Sequence, residues 1–133
     1  MRTRPALTHD DVQKILRAAE AEAGKHPWNV AIAVLDDGGH LLGLSRLDGA
    51  TPANVEIALE KGRTAALSRT ASKVFEDRIA AGRLAMLKLP LLPLQGGLPI
   101  VYQGECVGAV GVSGAKPQED EQVAQAGIDG LGG

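Results

Sequence analysis

Two cationic side chains, a carboxylate and a hydroxyl fall close together at the junction of a strand and a helix. Arg46 and Asp48 follow a strand-like run and precede a turn. Lys61 and Thr64 share one stripe of the next helix, because residues three apart are neighbours on a helix surface. Arginine offers a carboxylate two parallel hydrogen bonds, lysine a point charge and threonine a hydroxyl. These residue types predict a cleft that binds an anion or a carboxylate.

A glycine pair further along the chain adds candidate backbone donors to this site. Gly96 and Gly97 lie in the stretch LKLPLLPLQGGLP, which three prolines interrupt. Such a stretch predicts a folded loop rather than a central strand. Glycine lets backbone N–H groups approach an anion closely. The predicted ligand site therefore comprises six residues: Arg46, Asp48, Lys61, Thr64, Gly96 and Gly97.

The same residues also fit other roles, structural or catalytic. Arg46 and Asp48 could form a salt bridge, and Asp48 could hydrogen-bond the backbone of the turn at Gly49. Lys61 could lie on a solvated helix face. If Lys61 were desolvated, its lowered pKa would allow it to act as a base, with Asp36 or Asp48 as its partner. The sequence leaves these interpretations open.

Motifs for metals and phosphates are absent from the sequence. The three histidines, His9, His26 and His40, are scattered, and no C-x-x-C or E-x-x-E spacing occurs. Neither a phosphate-binding loop nor a nucleophile elbow is present. The single cysteine, Cys106, lies in an apolar run that is typical of a small buried side chain. The sequence therefore predicts no metal held by protein ligands alone.

The composition narrows the class of protein. A length of 133 residues predicts a single domain over residues 1–133. The formal net charge of -2 and the aromatic content of 2% argue against a nucleic-acid partner. No apolar run is long enough for a membrane span, and the N-terminal residues lack the pattern of a signal peptide. We therefore expect no membrane partner and a cytoplasmic location.

The element order predicts an α+β fold. Helices are expected after the caps Thr8 and Thr51, and a shorter third helix after Thr70 or Ser72. A final helix begins near Pro117. Two hairpins supply an antiparallel sheet. The first strand is apolar on both faces, so one face should meet a helix layer and the other more chain or another subunit.

Four stretches in this order resemble the GlcG/HbpS family, which includes haem-binding proteins and the C-terminal domain of PduO-type cobalamin adenosyltransferases. They read IAVLDDGGHLLGLSRLDGA, ALEKGRTAA, LPLQGGLPIVYQGECVGAVGVSGA and DEQVAQAG. The resemblance spans Leu7 to about Gly130. It implies a profilin-like α+β fold with an antiparallel sheet of about five strands flanked by helices. It also implies a homo-oligomer, from tetramer to octamer.

The resemblance suggests haem, or a related tetrapyrrole, as the ligand. Arg46 and Lys61 would then meet the haem carboxylates, and His9 is the candidate axial ligand of the iron. The sequence departs from the family in having no E-x-x-E pair, no export signal, and Gly62 where an alanine usually follows the lysine. Two alternatives remain: an enzyme or accessory protein of small organic-acid catabolism, and a structural oligomer without a ligand.

Overall fold

The computed structural model describes residues 1–132 and confirms the α+β class. The sheet of the described residues has four strands rather than about five, because the two hairpins supply all of them. In chain order the elements are α1 (His9–Gly24), β1 (Ala31–Asp36), β2 (Leu41–Arg46), α2 (Pro52–Ser68), α3 (Lys73–Ala80), a 3-10 helix (Leu84–Lys88), β3 (Gly97–Tyr102), β4 (Glu105–Ser113) and α4 (Pro117–Asp129).

The sheet is antiparallel throughout, with the strand order β2-β1-β4-β3. The hairpins β1–β2 and β3–β4 join through β1 and β4, where Ala33 lies opposite Gly111. The second hairpin turns at Gln103 and Gly104, and both residues have a positive φ. The central position of β1 explains why its sequence is apolar on both faces.

Helices cover both faces of the sheet. α1 and α4 pack on one face and α2 packs on the other. The large side chains of β1 meet α1, and its small ones, with Leu35, meet α2. The chain itself thus covers both faces of β1, so burial of that strand requires no second subunit. None of the helices in the part of the chain described here is long and apolar enough to cross a membrane.

Side-chain caps fix the starts of the two long helices. The hydroxyl of Thr8 accepts a hydrogen bond from the Asp11 N–H, and that of Thr51 accepts one from the Asn54 N–H. The prediction that a side chain caps α3 is wrong. Ser72 precedes α3, but its hydroxyl bonds the loop before β3 instead of the helix N–H groups.

The backbones of α2 and β4 are in direct contact. A Cβ atom built on Gly111 would overlap the carbonyl oxygen of Ala58, and one on Gly62 would overlap the side chain of Leu35. These glycines therefore set the distance between α2 and the sheet. This close approach fixes where the side chains of α2 emerge and which of them become buried.

Candidate functional site

Lys61, predicted at a cleft edge, is instead buried between α2, β4 and α4. It is 4% exposed, and its Nζ donates hydrogen bonds to Asp120 Oδ2 and the Val112 carbonyl oxygen, both at 3.0 Å. Asp120 is 2% exposed, and its Oδ1 accepts a hydrogen bond from the Ala115 N–H at 2.9 Å. The position is buried because the close contact of α2 with the sheet draws this stripe of the helix inward.

The buried pair has an unusual electrostatic setting. Burial raises the pKa of Asp120 above its ordinary value, and the opposing effects of the Lys61 charge and the Ala115 N–H are smaller. Lys61 is paired with Asp120 and not with Asp36 or Asp48. Sequence reasoning missed Asp120, since an acidic residue in the first turn of α4 looked like an ordinary partner of the helix dipole.

Three other predicted residues surround Lys61 in this packed region. The Thr64 hydroxyl accepts a hydrogen bond from the Leu92 N–H at 2.9 Å and donates to a backbone carbonyl oxygen. A Cβ atom on Gly96 would lie 2.8 Å from Lys61 Nζ, and one on Gly97 would overlap the Lys61 carbonyl. These contacts support the structural interpretation of the cluster. Ligand binding by it stays a prediction.

Arg46 and Asp48 lie apart from this cluster and are exposed. Arg46 Nε donates a hydrogen bond to the Ala50 carbonyl oxygen at 2.9 Å. The ion pairs of residues 1–132 include none between Arg46 and Asp48. Arg46 lies opposite Ala31, whose side chain faces α2, so Arg46 is on the α2 side of the sheet. Its side chain is exposed on that side.

Exposed leucines adjoin Arg46 on this side of the molecule. Leu44 and Leu41 lie opposite Ala33 and Leu35 in the ladder, so both share the side of Arg46. The leucines are 38% and 48% exposed, since α2 packs over β1, β4 and β3 and leaves β2 uncovered. Leu67 of α2 is 45% exposed and lies near the β1–β2 turn. We call Leu41, Leu44 and Leu67 the leucine face.

Of the three histidines, His9 and His40 lie towards the end of β2 that is remote from Arg46. Ser45 donates a 2.6 Å hydrogen bond to Glu20, which places the C-terminal part of α1 beside the end of β2. His9 is exposed and precedes Glu20 by eleven residues, or about 16 Å of helix. Arg46 and His9 of one chain are therefore far apart. His40 precedes Leu41, and its Nδ1 lies 3.2 Å from the Asp36 carboxylate.

Residues that could hold a metal by themselves do not cluster. Within residues 1–132, no group of three or more His, Cys, Asp or Glu side chains is arranged to bind a metal ion. A prosthetic group that brings its own nitrogen ligands needs only one or two side chains. His40 meets one requirement for such a ligand, because a carboxylate beside Nδ1 orients the ring and leaves Nε2 for the metal.

A family model described as haem degrading protein HbpS-like matches residues 7–129. The chain belongs to this family. Protein GlcG of Escherichia coli strain K12 is 47% identical over 114 residues, which are 85% of each chain. The sequence resemblance to GlcG and HbpS is thus confirmed.

Two solved structures extend the likeness of this HbpS-like chain to the fold. A double mutant of HbpS from Streptomyces reticuli has a TM-score of 0.89 and 33% identity, and the match covers 100% of this chain and 92% of that one. A complex of PduOC with haem has a TM-score of 0.85 and 25% identity, with 95% of each chain covered. A protein of this fold that binds haem is therefore among its structural relatives.

Proposed function

We propose that this HbpS-like chain binds haem or a related tetrapyrrole on the leucine face, with Arg46 facing a propionate. The observation that carries the proposal is an exposed apolar surface with an exposed arginine at its end. The family and the haem complex of PduOC support the choice of ligand. A pocket for a planar apolar molecule needs such a surface and a few polar groups that orient the ligand.

The chemistry of the leucine face suits haem. The porphyrin ring is apolar and would pack on Leu41, Leu44 and Leu67, while Arg46 would bind a propionate through charge-assisted hydrogen bonds. His40 is the candidate iron ligand of this face, and His9 remains the candidate predicted from the sequence. When bound, the haem iron would supply redox chemistry, and the axial ligand would tune its potential.

Lys61 has an indirect part in this proposal. Direct contact between Lys61 and a propionate would require Lys61 to leave Asp120, which would remain as a buried unpaired carboxylate. We infer that Lys61 instead holds α2 on the sheet, and α2 carries Leu67. Thr64, Gly96 and Gly97 would act with it as the support of the face.

A haemin titration followed through the Soret band tests the proposal. We expect saturable binding by the unmodified chain and about tenfold weaker binding by Arg46→Ala, since a hydrogen bond to a charged group contributes about 1.5–3 kcal/mol. Arg83→Ala is the matched control, because Arg83 is an exposed arginine outside the leucine face. Leu44→Glu should weaken binding more strongly, because it places a like charge beside the propionates.

The histidine variants identify the axial ligand. His40→Ala should shift or weaken the Soret band more than His9→Ala if the leucine face holds the haem. A reversed order would favour the site predicted at His9. Absence of a saturable Soret shift, or equal binding by Arg46→Ala and Arg83→Ala, would contradict the proposal.

An organic acid is the second candidate ligand. Arg46 could anchor its carboxylate whether or not haem binds. Calorimetry with a panel of small carboxylates, in which Arg46→Ala abolishes binding while haemin gives none, would favour this alternative. We also propose a homo-oligomer of tetramer to octamer size and a cytoplasmic location, which the resemblance and the sequence suggest.

A further inference from the structure

A cavity of about 460 Å³ lies on the α1–α4 side of the sheet, beside the β3–β4 hairpin. This volume is within the range of about 300–1,000 Å³ that is typical of small-molecule sites. Its lining is mainly apolar and comes from the N-terminal segment, β3, β4 and the end of α4. The apolar lining includes Ala6, Leu7, Ile100, Ile128 and Leu131, and Asp11 of α1 also borders the cavity.

The N-terminal segment forms one wall of the cavity and is fixed at several points. Leu7 packs over Gly108, where an added Cβ atom would lie 2.7 Å from the Leu7 side chain. Arg4 forms an ion pair with Asp37, in the β1–β2 turn. Arg2 pairs with Glu105 on β4 at 3.8 Å. The wall is therefore held against the sheet.

One lining residue is an ionised carboxylate. Asp11 Oδ2 accepts a hydrogen bond from the Thr8 N–H at 2.9 Å. That bond and the Thr8 hydroxyl lower the pKa of Asp11, so its charge persists at neutral pH. The last turn of α4 also borders the cavity, and the carbonyl end of a helix carries a partial negative charge. Asp11, whose charge the N-terminus of α1 offsets in part, and the end of α4 are thus the negative groups at the cavity.

We propose that this cavity binds a small apolar molecule that carries one ammonium group, with the ammonium at Asp11. The apolar body would contact Leu7, Ile100 and Leu131. A ligand with a carboxylate would place its negative charge against Asp11. The proposal is therefore independent of haem, whose two propionates suit the arginine of the leucine face and not this cavity.

Three probes that differ mainly in charge test the proposal by calorimetry at pH 7: 1-naphthylmethylammonium, 1-naphthylmethanol and 1-naphthoate. We expect saturable binding of the ammonium probe, weaker binding of the alcohol and the weakest binding of the carboxylate. Asp11→Asn keeps an acceptor for the Thr8 N–H and should weaken ammonium binding about fivefold while leaving the alcohol unchanged. Asp10→Asn is the matched control, because Asp10 is exposed and does not line the cavity.

Two further measurements test whether the probes bind in this cavity. Chemical shifts of the Ile128 and Leu131 methyl groups should change on titration with the ammonium probe. Ala6→Phe, at an exposed lining position, should reduce the binding of all three probes, with the folded state checked by circular dichroism. Equal affinities for the three probes, no saturable binding, or displacement of the bound probe by haemin would overturn the proposal.

Discussion

Lys61 and Asp120 form a buried ion pair that connects α2 with β4 and α4. Both are almost wholly buried, and each also bonds a backbone group. A buried ion pair adds little net stability compared with apolar residues, but removal of one partner leaves an uncompensated charge. The pair therefore matters for stability mainly because the loss of one partner is costly. A substitution at Lys61 is expected to destabilise the folded chain whether or not a ligand binds.

We expect Lys61→Ala to lower the free energy of unfolding by about 3 kcal/mol at pH 7, because Asp120 is left charged and buried. The loss should shrink at acidic pH, where Asp120 becomes neutral. A carboxyl group whose pKa is raised by folding favours the folded state less as pH rises through that pKa. Urea denaturation at pH 7 and pH 4.5 measures both effects.

Two further variants control this prediction. Lys73→Ala removes an exposed pair with Asp77 and should change the unfolding free energy little at either pH. The double substitution Lys61→Met with Asp120→Leu should recover most of the stability that Lys61→Ala loses. An unfolding free energy for Lys61→Ala that equals that of the unmodified chain would show that Asp120 finds another partner.

At the scale of elements, the contact between α2 and the sheet positions the predicted site. Gly62 and Gly111 let the two backbones meet, and this contact places Lys61 and Thr64 inside. Val55 and Leu59, the larger apolar side chains of α2 that pack beside Ala58, are only half-buried. The orientation of α2 therefore depends on the absence of side chains at a few positions.

The effect of a glycine-to-alanine substitution on stability should depend on whether the glycine is tightly packed. Gly111→Ala should lower the free energy of unfolding by about 3 kcal/mol or more, since overpacking against rigid backbone costs about 1–3 kcal/mol and occasionally more. Gly24→Ala at the end of α1, with open space around it, should change the unfolding free energy by about 0.5 kcal/mol or less, since the full gain of about 0.5–1 kcal/mol applies to the middle of a helix. Thermal or urea unfolding of the two variants compares them. Similar effects of both would contradict the packing argument.

At the scale of the whole molecule, apolar side chains are exposed away from the leucine face. Four leucines of the 3-10 helix and of the loop that joins it to β3 are 40% to 65% exposed. They are Leu84, Leu87, Leu89 and Leu94. Large exposed apolar side chains that lie close together on a surface are typical of an interface. This distribution supports the proposed homo-oligomer, although burial of β1 does not require one.

Light scattering after size-exclusion chromatography tests the assembly. We expect a mass that is several times the chain mass of 13.8 kDa, and a smaller one for Leu87→Glu. The charge would have to be desolvated in the interface, which is costly. Leu67→Glu is the control at a similarly exposed leucine of the leucine face. A monomer at all concentrations would contradict the prediction.

The sequence by itself determined the family, the α+β class and most of the elements. Local signals predict these elements: the periodicity of apolar residues, the caps at Thr8 and Thr51, and the hairpin turn at Gln103. Such signals depend on neighbouring residues in the sequence and not on tertiary contacts. The two-sided apolar pattern of β1 likewise predicted cover on both faces, and both faces are covered. The sequence also grouped Lys61 with Thr64, Gly96 and Gly97, which the fold does bring together.

Only the tertiary structure decided what surrounds each of these residues. Asp120 lies 59 positions from Lys61, and nothing in the local sequence of α4 marks it as buried. Arg46 was grouped with Lys61, yet the strand ladder places it at an exposed edge. Burial, ion pairs and cavities arise from contacts between segments that are distant in the sequence. The spacing of residues along one helix or strand does not show which residues of another element will contact them.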